Sequence, residues 1–289
     1  MIKKITKIFL TICLIAITGT ALSAKSSIIV GGGLQFDLGQ LGGTIMKDGL
    51  DSTQGTKDSY GNYNGQQKLI IAENKLIAAE NVSGGALNVK GDGAMTGGVL
   101  NFGFESDIGK AFFFRVGLNY TQKIMGGRTT SNFMGYNWYD ITWNYRSIII
   151  PAYFGIKIAV AESSAFYIGA GVHYFNGGWG VKGRNDGPGL NAASGGIGKS
   201  LVSTAADPAV INEDAQFHVT GFGMNWLLGA QTKISDKGSL FLELETILSA
   251  KQGTAGTKST GGIAGLSPLP AYPIVLGGQI YRIGYKHEL

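Results

Sequence analysis

Three histidines, His173, His218 and His287, are the first places to look for metal or acid–base chemistry in this chain. They stand on separate segments, with no ligand partner at metal-binding spacing, so the pattern points away from a metal centre. The stretch "ASGGIGKS" at 193–200 fits the loose phosphate-loop expression, with Lys199 and Ser200 in the Lys-Ser places. A phosphate loop needs a buried strand before it and a helix after it; here "GPGLN" precedes and Pro208 follows closely. No local Ser/His/Asp arrangement stands out. No catalytic residue, cofactor or metal is expected, and the chain reads as a non-enzyme. What remains is a set of charges: Glu105, Arg115, Arg146, Lys157, Lys233, Glu243, Glu245, Arg282 and Lys286. Their chemistry is ion pairing and ion passage, provided that the fold gathers them.

Each of these charges sits on the polar side of a period-two alternation. In "FFFRVGLNYT", Phe112, Phe114, Val116, Leu118 and Tyr120 oppose Arg115, Gly117 and Asn119. In "SLFLELETIL", Leu240, Leu242 and Leu244 oppose Phe241, Glu243 and Glu245, and in the tail Tyr281, Ile283 and Tyr285 oppose Arg282, Gly284 and Lys286. Segments of about ten residues with this pattern suit tilted strands that cross a bilayer. Glycine, 47 of 289 residues, collects on the polar faces, as the interior of a narrow barrel requires. The tail's charged side therefore reads as a lumen, and its aromatic side as lipid-facing, with Tyr120, Tyr139, Trp143, Trp226, Tyr281 and Tyr285 expected outside.

The N-terminus sets the compartment. Lys3, Lys4 and Lys7 precede the apolar "LTICLIAITG" and the small residues "ALSA", a secretory signal peptide expected to end at Ala24. Its removal takes away three lysines, so the formal charge falls from +5 to +2, and nucleic-acid binding is not expected. The sole cysteine, Cys13, leaves with it. "KHEL" at the C-terminus continues a strand and is not read as a retention signal.

Short turns around Gly109, Glu162 and Asp236 alternate with long polar loops at 39–97, 124–137, 177–215 and 252–274. That asymmetry belongs to outer-membrane barrels, with short periplasmic turns and long extracellular loops. The fold class is all-β: a transmembrane antiparallel up-and-down β-barrel over 25–289, with eight strands favoured and ten as the alternative. The count turns on "WYDITWNYRSIIIPAYFGIKIAV". Its apolar face is Tyr139, Ile141, Trp143 and Tyr145, then flips phase after Ser147 to Ile150, Phe154, Ile156 and Ile158. With no turn residues at Arg146-Ser147, a β-bulge in one long strand is expected there. In the first loop, the repeat "KLIIAENKLIAAEN" predicts an amphipathic helix over Leu69–Asn81.

Several stretches, "DLGQLGGTIMKDGLD", "LNVKGDGAMTGG", "FFFRVGLNYTQKIMGG" and "SPLPAYPIVLGGQIYRIGYKHEL" among them, closely resemble the leptospiral (spirochaetal) surface-exposed outer-membrane porin family, outer-membrane protein L-one. The resemblance runs from the signal peptide to Leu289. It implies a porin in the bacterial outer membrane, passing small polar solutes, and attachment to host extracellular-matrix proteins through the outer loops. It supplies no catalytic motif. Outer-membrane lipid is the expected surroundings, and a homo-oligomer is left open. Two functions compete: passive diffusion through the lumen, and an adhesin barrel that displays its loops with little channel activity. Eight strands sharpen that contest, because side chains fill so narrow an interior. Between adjacent strands, counting from their periplasmic ends places Glu245 near Arg282 and Glu243 near Lys286, in a network that restricts the lumen.

Overall fold

In the computed structural model the alternating segments are eight long strands: β1 (Ser26–Phe36), β2 (Thr96–Ile108), β3 (Phe112–Met125), β4 (Tyr136–Ala159), β5 (Ser164–Asn185), β6 (Gln216–Lys233), β7 (Gly238–Leu248) and β8 (Gly278–Glu288). The structure describes residues 25–36, 49–51, 68–71, 73–198, 202, 209–211, 216–248, 258–260 and 278–289. The signal peptide expected over 1–24 lies outside the described residues. Each strand pairs antiparallel with the next, and β8 returns to β1, from Ser27 opposite Glu288 to Phe36 opposite Gln279. The ring is closed, so no barrel edge is left to pair with another chain. One turn shows how its reversal is made: Gly109, at φ 67, takes the left-handed conformation that a side chain resists.

No bulge interrupts β4 at Arg146-Ser147; its one slip lies at the loop end, where Ser131 pairs with Tyr139 and Asn132 with Asn137, leaving Trp138 as the extra residue. The register of β4 against β5 is constant from Tyr139 opposite Asn185 to Ala159 opposite Ala165. From Tyr139 onward odd-numbered residues point inward, with Tyr139, Ile141, Trp143, Tyr145, Ser147, Ile149 and Tyr153 all buried. Even-numbered residues point outward, polar at Asn144 and Arg146 and apolar from Ile148 through Phe154, Ile156 and Ile158. What flips between Arg146 and Ile148 is the solvent, not the backbone. Below this level the outer face meets lipid and is apolar; above it the strand meets water and the apolar residues turn in. Strand β5 repeats the change, with Phe166, Ile168 and Val172 exposed low down, and on the same side higher up half-buried Asn176 and Gly178 and exposed Arg184. Tyr139 and Trp143, expected on the exterior, are therefore interior, at 1% and 3% exposure. Trp226, Tyr281 and Tyr285 do face outward.

Above the lipid level the wall continues. Residues Arg128–Phe133 pair with the upper part of β4, and Leu87–Gly91 pairs with them in turn. The free side of Leu87–Gly91 is capped by helix α1 (Glu73–Val82): Ser83 Oγ accepts from Leu87 N at 3.0 Å and Glu80 Oε1 from Val89 N at 2.9 Å. Occupied amides blunt an edge that would otherwise recruit another strand. The helix starts at Glu73 and not at Leu69, because Lys68–Ile70 pairs with Gly49–Asp51 as a strand. Tyr139 then pins the joint, its hydroxyl accepting from Ile71 N at 3.1 Å and donating to Ile71 O at 3.2 Å. Leu76 and Ala79 face inward, while Ile77 is 40% exposed.

Candidate functional site

The inward charges meet in the middle of the barrel. Glu105 on β2 stands directly opposite Arg115 on β3, and Arg115 donates to Glu105 Oε2 through Nε at 2.7 Å and Nη2 at 2.5 Å. Its other arm, Nη1, crosses the lumen to Glu243 on β7. Glu243 stands opposite Arg282 on β8 and accepts from Arg282 Nε at 2.5 Å, while Arg282 Nη1 reaches Glu245 at 2.7 Å. Lys157 and Lys286 join Glu105 at 2.8 and 3.2 Å, and Lys157 also pairs with Asp107. Four carboxylates thus face four cations, and the network is neutral. Its core is dry: Glu105, Arg115, Glu243, Glu245, Arg282 and Lys286 are each at most 4% exposed.

Neutral donors satisfy what the ion pairs leave open, as buried charges demand. Tyr167 donates to Glu243 at 2.5 Å, and Tyr153 donates to Glu245. Asn119 and Asn225 donate to Glu245 at 3.0 and 3.2 Å. Lys286 lies 4.3 Å above the Tyr167 ring and donates to Gln231 at 2.7 Å. A bond from Thr121 to Gln35, 2.8 Å, brings β1 into the set. All eight strands therefore contribute an inward polar group.

Glycine makes room for this arrangement. A Cβ at Gly229 would run into the Tyr167 ring, one at Gly284 into the Phe241 ring, and one at Gly155 would stand 2.5 Å from the Phe113 ring. The inward glycines are the spaces into which aromatic neighbours lean, and those rings in turn flank Arg115, Lys157 and Lys286.

At the loop end lies a second, apolar layer. Ile247 and Ile280, then Ile149, Phe175, Tyr145, Trp143, Ile141, Tyr139 and Trp138 fill the interior, with Leu76 and Ala79 of α1 among them. This layer has no counterpart in a simple apolar-out, polar-in reading. Its signal was present as the aromatic run at 138–145, assigned to the wrong side of the wall.

Of the charges singled out in the sequence, the structure brings together Glu105, Arg115, Lys157, Glu243, Glu245, Arg282 and Lys286. Two stand apart. Arg146 lies on the exterior of β4, because the solvent change places even-numbered residues outside there; it is not a lumen residue. Lys233 ends β6 at the turn, exposed and away from the network. Of the expected pairs, Glu245 with Arg282 forms, at 2.7 Å; Glu243 also takes Arg282, its register partner, and Lys286 turns to Glu105 instead of Glu243. Asp107, Tyr153, Tyr167, Asn119 and Asn225 were not singled out; all but Asp107 are neutral, and their inward alternation was the only clue. His173 is buried on the inner side of β5, opposite Gly223 and Pro151, and His287 is exposed. No cluster able to hold a metal ion occurs among the described residues.

Outside the membrane, a small cluster locks the top of β5. Short helix α2 (Gly187–Ala193) is capped by Asp186, which accepts from Gly189 N at 2.9 Å, from Arg184 at 2.5 Å and from Tyr136. Desolvation pushes the Asp186 carboxyl up, and the hydrogen bonds from Tyr136, Arg184 and Gly189 outweigh it, holding it below the ordinary carboxylate range.

Among solved structures, the chain is similar to Neisserial surface protein A (NspA), at 9% identity, covering 93% of this chain and 100% of that one, TM-score 0.37. It is also similar to Ail, the attachment invasion locus protein of Yersinia pestis, at 9% identity with the same coverage and TM-score 0.37. The outer membrane protein OprG from Pseudomonas aeruginosa aligns at 11% identity over 91% of this chain and 96% of its own, TM-score 0.39. No curated protein matches. The family model described as Leptospira porin protein OmpL1 matches residues 25–289, the whole of the chain that forms the barrel and its loops, and the chain belongs to that family of outer-membrane porins.

Proposed function

We propose that this porin passes small polar solutes and ions through its lumen, and that the neutral ion network around Glu243 is the constriction that sets how much passes and of which charge. The observation that carries the reading is the sharing of partners. Glu105 holds three cations and Glu243 two, while Arg115 and Arg282 each span two carboxylates. A group with several partners exchanges one without being stripped of all, which lowers the desolvation barrier to rearrangement. Water and a small ion then have a stepwise route past the network. The apolar layer under α1 forms a second closure at the loop end, so the barrel as described is a closed state. Planar-bilayer recording of the wild type and of Glu243→Gln/Glu245→Gln tests the reading. The double variant removes two negative charges from the lumen and should shift selectivity toward anions. Unchanged selectivity in a conducting, folded variant would place the constriction elsewhere. A silent bilayer with saturable binding to matrix proteins would favour the display of loops as the barrel's role.

A further inference from the structure

The exterior of the barrel carries a charge where the lipid ends. Tyr120 and Tyr281 mark that level: each directs its hydroxyl toward the loop end, to Gln122 at 3.2 Å and Gln279 at 2.9 Å, as interfacial tyrosines do. Arg146 sits at the same height, exposed, directly opposite Gln122 on β3. Its neighbour on the membrane side, Ile148, is 40% exposed to the lipid. On its other flank stands Gly178, and the next residue outward on the same face, Asn144, is exposed opposite Gly180. The two glycines put no side chain of their own on that strip of wall, which is edged by a guanidinium and two amides.

Two other arginines on this outer wall are neutralised within the protein. Asp140 accepts from Arg128 at 3.0 and 2.8 Å, and Asp186 from Arg184 at 2.5 Å. Arg146 meets no carboxylate among the described residues. An arginine beside exposed isoleucine, at the edge of hydrocarbon, calls for a counter-charge from the membrane itself. The planar guanidinium grips a phosphate through two parallel hydrogen bonds, and the side-chain amides of Gln122 and Asn144 offer further donors. Gly178 and Gly180 place no side chain of their own between a headgroup and the wall.

We infer that Arg146, with Gln122 and Asn144, is a contact site for the phosphate of an anionic lipid headgroup in the outer leaflet. The site fixes the height of the barrel in the membrane and holds one lipid against β4 and β5. The test is native mass spectrometry of the full-length folded protein, released from micelles containing bis-phosphorylated lipid A or the same lipid with its phosphates removed. The wild type should retain the phosphorylated lipid about tenfold more than the dephosphorylated one, the scale of one charge-assisted bidentate contact. Arg146→Gln should abolish the preference, and Arg184→Gln should leave it intact. Arg146→Lys keeps the charge and loses the fork, so its preference should be intermediate; this variant decides the matter if Arg146→Gln does not fold. Equal retention of the two lipids by the wild type, or an undiminished preference in Arg146→Gln or Arg146→Lys, would overturn the inference. Release of the bound lipid by excess inorganic phosphate would overturn the lipid as occupant.

Discussion

Arg282→Met should destabilise the barrel far more than Lys286→Met, although both remove one buried cation from the same network. Arg282 is the only cation paired with Glu245 among the described residues. Its loss leaves that carboxylate buried, with hydroxyl and amide donors from Tyr153, Asn119 and Asn225 and no charge opposite. A buried charge stripped of its partner costs about 3–5 kcal/mol. Lys286, by contrast, shares Glu105 with Arg115 and Lys157, so its loss forfeits about 1–3 kcal/mol of charge-assisted hydrogen bonding. The orphaned charge gives the decisive control. Adding Glu245→Gln to Arg282→Met should restore about 0.5–3 kcal/mol, because it discharges the group left behind. Equilibrium urea unfolding from lipid vesicles, followed by tryptophan fluorescence, reads all four proteins; Trp226 faces the bilayer and reports its own transfer to water. Equal losses for the two methionine variants, or a further loss on adding Glu245→Gln, would refute the reasoning.

On the outer face, Leu242, 62% exposed in the lipid belt, should tolerate charge badly: Leu242→Arg near mid-bilayer costs about 2–4 kcal/mol, and a normal folding yield in vesicles would contradict the orientation of the wall. At the loop end, Asp186 has a depressed folded-state pKa. Its contribution to the α2 cap is therefore complete above the unfolded carboxylate value and is lost as the pH falls below about 4. Hydrogen exchange at residues 187–193 should accelerate over that window and lose the dependence in Asp186→Asn.

Much of this was legible in the sequence because period two is a direct image of a wall between two media. The alternation in β2, β3, β7 and β8 needed only the assumption that lipid lies outside, and it placed Glu105, Arg115, Glu243, Glu245, Arg282 and Lys286 inside. Strand β4 defeated the same rule. Its 24 residues outrun the bilayer, so a single uninterrupted strand presents lipid-facing isoleucines at one end and water-facing Asn144 and Arg146 at the other. A change of solvent and a bulge give the same shift of apolar phase in the sequence, and only the register against β5 separates them. The partners inside the lumen were hidden for another reason. Strand order and antiparallel sense bring Glu243 and Glu245 near Arg282 and Lys286, yet a slip of one step along a tilted barrel exchanges who meets whom. Lys286 reaches across to Glu105, 181 residues away, which no local pattern encodes.

The central claim is that the network around Glu243 and Glu245 forms the constriction. Reversal potential across a salt gradient, measured on single channels of the wild type and of Glu243→Gln/Glu245→Gln in planar bilayers, tests it most directly. The network of the double variant holds two carboxylates against four cations, where that of the wild type holds four against four. A shift of the reversal potential toward anion selectivity, in a protein that still folds, is the result predicted. A conducting double variant with the reversal potential of the wild type would contradict it.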